Sequence, residues 1–158
     1  MSLIRALISA LMTALILAMI ASINVGAADN ARPISSSDLV TAAQLNSQLP
    51  AVKAGKIILI QVGFHMMYQM GHIPGSQYAG AAANAEGLAA LKKLVAKLAR
   101  NQQIVIYCGC CPWNDCPNVR PAYQALKELR FTNFKVLDIP ERLGTDWTAK
   151  GYPIVKGE

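Results

Sequence analysis

Charge is scarce in this chain. Of its 158 residues only 15% are charged and only 6% aromatic, against 53% hydrophobic. That balance excludes a disordered, self-repelling chain. Cysteine is absent everywhere except one short stretch, Cys108 to Cys116, which holds all four. Four are too few for a disulfide-built miniprotein, and their crowding marks a local site. No internal repeat or low-complexity segment is visible. The first 28 or so residues read as removable, which leaves about 130, enough for one domain but not for two comfortable cores.

Acidic residues are the scarcer sign, 9 against 15 basic, for a formal net charge of +6. Arg5 is the only charge before residue 29, so the remainder carries 14 basic and 9 acidic residues, net +5. Much of the excess falls on one expected helix, at Lys92, Lys93, Lys97 and Arg100, with no interleaved aromatics. A solvated helix face explains that pattern, so no nucleic-acid partner is expected. Mild attraction for small anions remains in keeping with it.

Residues 1–28 have the form of a secretory signal peptide. Arg5 supplies a sparse positive start, Ala6 to Ile23 is nearly unbroken apolar sequence, and Val25-Gly26-Ala27-Ala28 offers small residues before Asp29. Signal peptidase accepts such residues, and cleavage after Ala27 or Ala28 fits. Residues 29–33 then form a linker and 34–157 the folded domain. The expected location is periplasmic or secreted, with no stable membrane insertion once the leader is cut. An uncut leader would instead anchor the domain to a membrane, since the apolar run is borderline for a span. Either way the thiols face an oxidising compartment.

Beyond the linker, Ser35-Ser36-Ser37-Asp38 offers capping oxygens for a helix from Leu39 to Leu49 that Pro50 closes. Three buried strands are expected at Ile57 to Val62, Ile104 to Tyr107 and Phe134 to Ile139. Between them, Leu88, Leu91, Leu94 or Val95, and Leu98 share one helical face, and Asn118 to Leu129 reads as another amphipathic helix with Pro121 in its first turn. Strands alternating with helices imply an α/β fold, a parallel sheet flanked by helices.

The cysteine stretch runs Tyr107-Cys108-Gly109-Cys110-Cys111-Pro112-Trp113-Asn114-Asp115-Cys116-Pro117-Asn118-Val119-Arg120. Cys108 ends a buried strand, and in open parallel sheets the ligand crevice lies outside the carboxyl ends of the strands. Loop N–H groups and the positive end of the next helix favour thiolate over thiol there. The same groups cradle an anion. Cys108 is the expected catalytic nucleophile. Gly109, Cys110, Cys111, Trp113, Asn114 and Cys116 form the expected substrate-binding loop, with Arg120 as a charged donor at the helix start. All four cysteines within nine residues, two of them adjacent, wrap a tetrahedral ion awkwardly, so no metal is expected. A soft ion such as copper would suit the thiolates better than zinc.

Taken together, Ile58-Leu59-Ile60-Gln61-Val62, Tyr68 leading into Gly71-His72-Ile73-Pro74-Gly75, Ile104-Val105-Ile106-Tyr107-Cys108, Gln124 to Leu129, and Trp147 through Gly151-Tyr152-Pro153-Ile154-Val155-Lys156-Gly157 resemble the rhodanese-like family of sulfurtransferases. The resemblance spans nearly all of 34–157. It implies a single rhodanese-like domain in which Cys108 takes sulfane sulfur from a small anionic donor such as thiosulfate. The sulfur then passes from the Cys108 persulfide to cyanide or a thiol, including a protein thiol, and no cofactor is needed. His72 is implied to fix a turn.

The chain departs from the family pattern in three ways. The loop before the helix is about six residues longer than usual for such domains. Its strand end picks Cys108, whereas the distance to Arg120 and the helix picks Cys116. Gln61-Val62-Gly63 stands where the family often has Asp-Val-Arg. The extra cysteines admit a Cys111–Cys116 disulfide, or Cys110 as a resolving thiol for Cys108. Two other functions stay open: a thiol redox or soft-metal-binding module, and a non-catalytic rhodanese-like binding domain.

Overall fold

The computed structural model describes residues 33–157; the expected leader and nearly all of the linker lie outside the described residues. Strands β1 (Leu39–Thr41), β2 (Ile57–Gln61), β3 (Ser76–Tyr78), β4 (Gln103–Tyr107) and β5 (Phe134–Asp138) form one sheet. Its order is β1-β5-β4-β2-β3, and every pairing is parallel. Helices α1 (Ala42–Ser47), α2 (Leu49–Lys53), α3 (His65–Met70), α4 (Ala85–Val95), α5 (Val119–Glu128) and α6 (Leu143–Asp146) connect the strands. Among the described residues no helix is long and apolar enough to cross a membrane.

Successive side chains of a strand point to opposite faces, and β4 is buried on both. Ile104, Ile106 and then Cys108 pack into the core that holds Leu91 and Val95 of α4 and Ala122 and Leu126 of α5. Val105 and Tyr107 face the opposite core with Leu45, Val52 and Trp147. A fully buried aliphatic side chain contributes about 1.5–3 kcal/mol, so alternation over five residues fixes the register of β4 strongly. That register assigns Cys108 to the face covered by α4 and α5.

Two expectations about the first elements need correction. Leu39 and Val40 belong to β1, not to a helix. Thr41 is the residue that caps α1, in a reciprocal box with Gln44. The serine run caps only a single 3-10 turn at Ser36–Asp38. Pro50 does not end a helix; it sits in the first turn of α2, where its missing N–H has no partner to lose. The sheet also has five strands rather than the three read from apolar runs. The added β1 and β3 are three residues each, too short to show a period.

Candidate active site

Chain order reverses between β2 and β4, so a crevice opens beyond their carboxyl ends. Gly63 and Cys108 stand at those two ends. A Cβ on Gly63 would lie 2.8 Å from Cys108 Sγ, so glycine is what leaves the sulfur its space. Gln61 ties the ends together. Its Nε2 donates to the Cys108 carbonyl at 3.1 Å, and its Oε1 accepts the Gly63 N–H at 3.2 Å. A buried neutral amide thus braces the crevice where the resemblance leads one to look for a charged pair.

The loop leaving β4 folds all four cysteines onto one spot. Cys108 Sγ is 3.2 Å from Cys110 Sγ, which is 3.1 Å from Cys111 Sγ. The sulfurs of Cys108, Cys110 and Cys116 all lie within 4.8 Å of one another. Gly109 makes the first contact: at φ 88° it turns the chain back so that Cys110 faces its neighbour but one. Further along, the Trp113 N–H donates to the Ile139 carbonyl at 3.0 Å, and the Leu143 N–H to the Gly109 carbonyl at 3.0 Å. These two bonds moor the long loop to the segment that follows β5.

Cys116 and Cys108 share a proton unequally. The Cys116 thiol is lowered to about 5, first because the Cys108 S–H donates to it; burial opposes the shift, while the backbone N–H groups of Asn118 and Val119 and the Cys111 thiol reinforce it. Cys108 is pushed up by the same hydrogen bond to Cys116, and then by burial. Burial is also the main cause that raises Cys111. Negative charge is therefore favoured on Cys116 over Cys108, at the amino-terminal edge of α5, where oriented N–H groups attract it.

Asn118 was not singled out by the sequence reading. It is fully buried, donates from Nδ2 to Cys108 Sγ at 3.5 Å and accepts the Ala83 N–H at 2.9 Å, holding the strand-end thiol from the helix side. An asparagine just ahead of a helix reads as an ordinary cap, and here its side chain points to the sulfur instead.

A cavity of about 450 Å³ opens on the outer side of the loop. Gly109, Cys110, Met67, Met70, Arg142 and Lys156 contribute to its walls, and among the described residues no carboxylate does. Arg120 does not line it and is exposed on the first turn of α5, so the positive charge comes from Arg142 and Lys156. Asn114 is likewise exposed. Trp113 is half-buried and packs against the α4–α5 core together with Cys110 and Cys111. All four cysteines are free thiols, with no Cys111–Cys116 disulfide. His72 is buried, stacks on Tyr68 at 3.7 Å and bonds the Tyr68 carbonyl through Nδ1 at 2.9 Å, which fastens the turn. Met66 and Met70 are exposed on α3. The sulfur trio at Cys108, Cys110 and Cys116 is the set that could gather a soft ion.

The model of the rhodanese-like domain matches residues 41–139. The chain belongs to the rhodanese-like domain family. Solved structures similar to this rhodanese-like domain include the BH2092 protein from Bacillus halodurans, at 19% identity and a TM-score of 0.58, over 76% of this chain and 77% of that one. A rhodanese-like domain from Anabaena sp. aligns at 20% identity and a TM-score of 0.54, over 75% and 79% of the two chains. Thiosulfate sulfurtransferase from Pseudomonas aeruginosa aligns at 16% identity and a TM-score of 0.56, over 76% of this chain and 20% of that chain. No curated protein matches by sequence. At these identities the likeness concerns the fold alone.

Proposed function

We propose that this rhodanese-like domain is a sulfurtransferase. It takes sulfane sulfur from a small anionic donor of the thiosulfate class and carries it as a persulfide on Cys108. The observation that carries the reading is the Cys108 thiol, buried at the carboxyl end of β4 in the sheet's crevice, with the Cys116 sulfur within 4.8 Å of it. Cys116 is ionised, but the N–H groups that hold its charge also blunt its nucleophilicity, which falls as thiol pKa falls. Cys108 is the stronger nucleophile once its proton is gone, and the Cys116 thiolate is placed to take it. The Cys108 sulfur then attacks the outer sulfur of the donor, the S–S bond breaks, and sulfite leaves with the bonding electrons. The Cys110 backbone N–H, which bonds Cys108, steadies the charge that remains.

Arg142 and Lys156 support an anionic donor over a neutral one. A thiol, a protein thiol or cyanide would take the sulfur in the second half of the exchange. The leader read from the sequence would place this chemistry in the periplasm or outside the cell. Intact mass of the reduced protein before and after thiosulfate, with peptide mapping, tests the reading. Release of one equivalent of sulfite, assayed alongside, is the expected result, with the donated sulfur found on the Cys108 peptide of Cys110→Ser and removed by cyanide. Sulfur on the Cys116 peptide would reassign the nucleophile. No sulfite release by the wild-type protein would leave a binding domain.

A further inference from the structure

We infer that Cys110 resolves the Cys108 persulfide, so that the domain by itself reduces the donor's sulfane sulfur to hydrogen sulfide and ends as a Cys108–Cys110 disulfide. The inference rests on the sulfurtransferase reading above and specifies its product and its partner. Three observations converge on it. Cys110 Sγ already stands 3.2 Å from Cys108 Sγ, and closing to a disulfide needs an approach of about 1 Å more, to roughly 2.05 Å. Gly109 is what permits that approach, since its φ of 88° is a conformation side chains resist and a Cβ there would meet Leu143 Cβ at 3.1 Å. Cys110 also lines the cationic cavity, while Cys108 is 3% exposed. The resolving sulfur is thus the one a reductant can reach from the cavity, and the outer sulfur leaves Cys108 Sγ in line, on the side opposite Cys110.

The step balances without an outside reagent. Cys108 first displaces sulfite from thiosulfate and becomes Cys108–S–SH. Cys110 sulfur then attacks Cys108 Sγ: the Sγ–Sγ bond forms, the bond from Cys108 Sγ to the outer sulfur breaks, and that sulfur departs with the bonding pair and the Cys110 proton. Thiosulfate and two thiols become sulfite, hydrogen sulfide and one disulfide. The two cysteine sulfurs lose one electron each, and the sulfane sulfur takes both. Reopening the disulfide for another turn requires a reducing protein dithiol, by thiol–disulfide exchange at the accessible Cys110 sulfur. The partner is therefore an electron donor rather than a sulfur acceptor.

The test is a single turnover of the fully reduced full chain with one equivalent of thiosulfate, without oxygen, cyanide or added thiol. Sulfite, sulfide, intact mass and disulfide connectivity are read together. Wild-type protein is expected to release sulfite and sulfide in equal amounts and to finish two hydrogens lighter, bridged Cys108 to Cys110. Cys110→Ser, whatever its rate of sulfite release, is expected to keep the added sulfur and yield no sulfide until a thiol is supplied. Sulfite with retained sulfur in the wild-type protein would overturn the inference and leave the sulfurtransferase reading standing. A bridge mapped to Cys111 or Cys116, or sulfide from Cys110→Ser, would remove Cys110 from the role. Absence of sulfite would overturn both.

Discussion

The same loop carries two kinds of cysteine. Cys108 and Cys116 are each 3% exposed, whereas Cys110 and Cys111 are half-buried and within reach of solvent. The inner pair is held by regular structure: Cys108 continues β4, and Cys116 receives N–H groups from the start of α5. The outer pair is held by a left-handed glycine and the turn at Pro112, which bonds the Asp115 N–H at 3.2 Å. Regular structure thus sets where the charge and the shared proton lie. The irregular segment sets how far a second sulfur can reach. One residue type acquires separate chemistry from its backbone alone.

Removing an inner sulfur should cost most. Cys108→Ser is expected to bring persulfide formation down to background, seen as loss of sulfite release. Cys116→Ser keeps the nucleophile but loses its base, so single-turnover sulfite release should slow by about 100-fold near neutral pH, a typical worth of general-base catalysis. The pH profile separates the two. Wild-type uptake should fall as pH drops through about 5, where the Cys116 thiolate takes up a proton. In Cys116→Ser that limb should vanish and the rate should climb only toward alkaline pH. Stability follows the same sign: a thiol lowered from 9.0 to about 5 stabilises the fold fully above 9 and loses that contribution as pH falls through 5. The wild-type melting temperature should therefore drop more than the variant's between neutral and acidic pH.

Changing the backbone of the outer pair should cost less and act elsewhere. Gly109→Ala forces a side chain into φ 88° and against Leu143, which should destabilise the fold by about 1–3 kcal/mol in a denaturant titration. Sulfite release would then be slowed less than sulfide release, because only the second step needs the Cys110 sulfur turned back on Cys108. Equal slowing of both would erase the distinction between inner and outer thiols.

How much of this was legible in the sequence follows from how local each signal is. Strands β2, β4 and β5 announce themselves as apolar runs, and the crowded cysteines mark the site. The Gly71 to Gly75 turn carries part of the family likeness and falls within residues 41–139, which the family model matches, whereas the tail lies beyond that match. By contrast, β1 and β3 exist through pairing with distant strands, and three residues leave no periodicity to read. Its position at a helix start makes Arg120 read as the charged donor, yet it is exposed and does not line the cavity that Arg142 and Lys156 line. Those two come from the segment after β5 and from the tail, and only the folded chain brings them beside Cys110. The Asn118 contact with Cys108 was hidden for the same reason, since the chain between them, ten positions in separation, had to loop out first.

The smallest expected effect belongs to the cavity's charges, and it asks whether the outer side of the loop is a binding surface at all. Arg142 and Lys156 are exposed, so each should hold an anion weakly, on the order of 0.5–1 kcal/mol. Arg142→Ala or Lys156→Ala should raise KM for thiosulfate about two- to five-fold and leave kcat nearly unchanged, because neither side chain contacts the sulfurs. Raising the salt concentration should shrink the difference, since ions screen exposed charges over about 10 Å at 0.1 M. A neutral sulfane donor such as a dialkyl trisulfide should be indifferent to both substitutions. If the charge-reversing Arg142→Glu also leaves KM for thiosulfate unmoved at low salt, the donor does not enter past Cys110. The outer pair would then lose its claim to the substrate side of the loop.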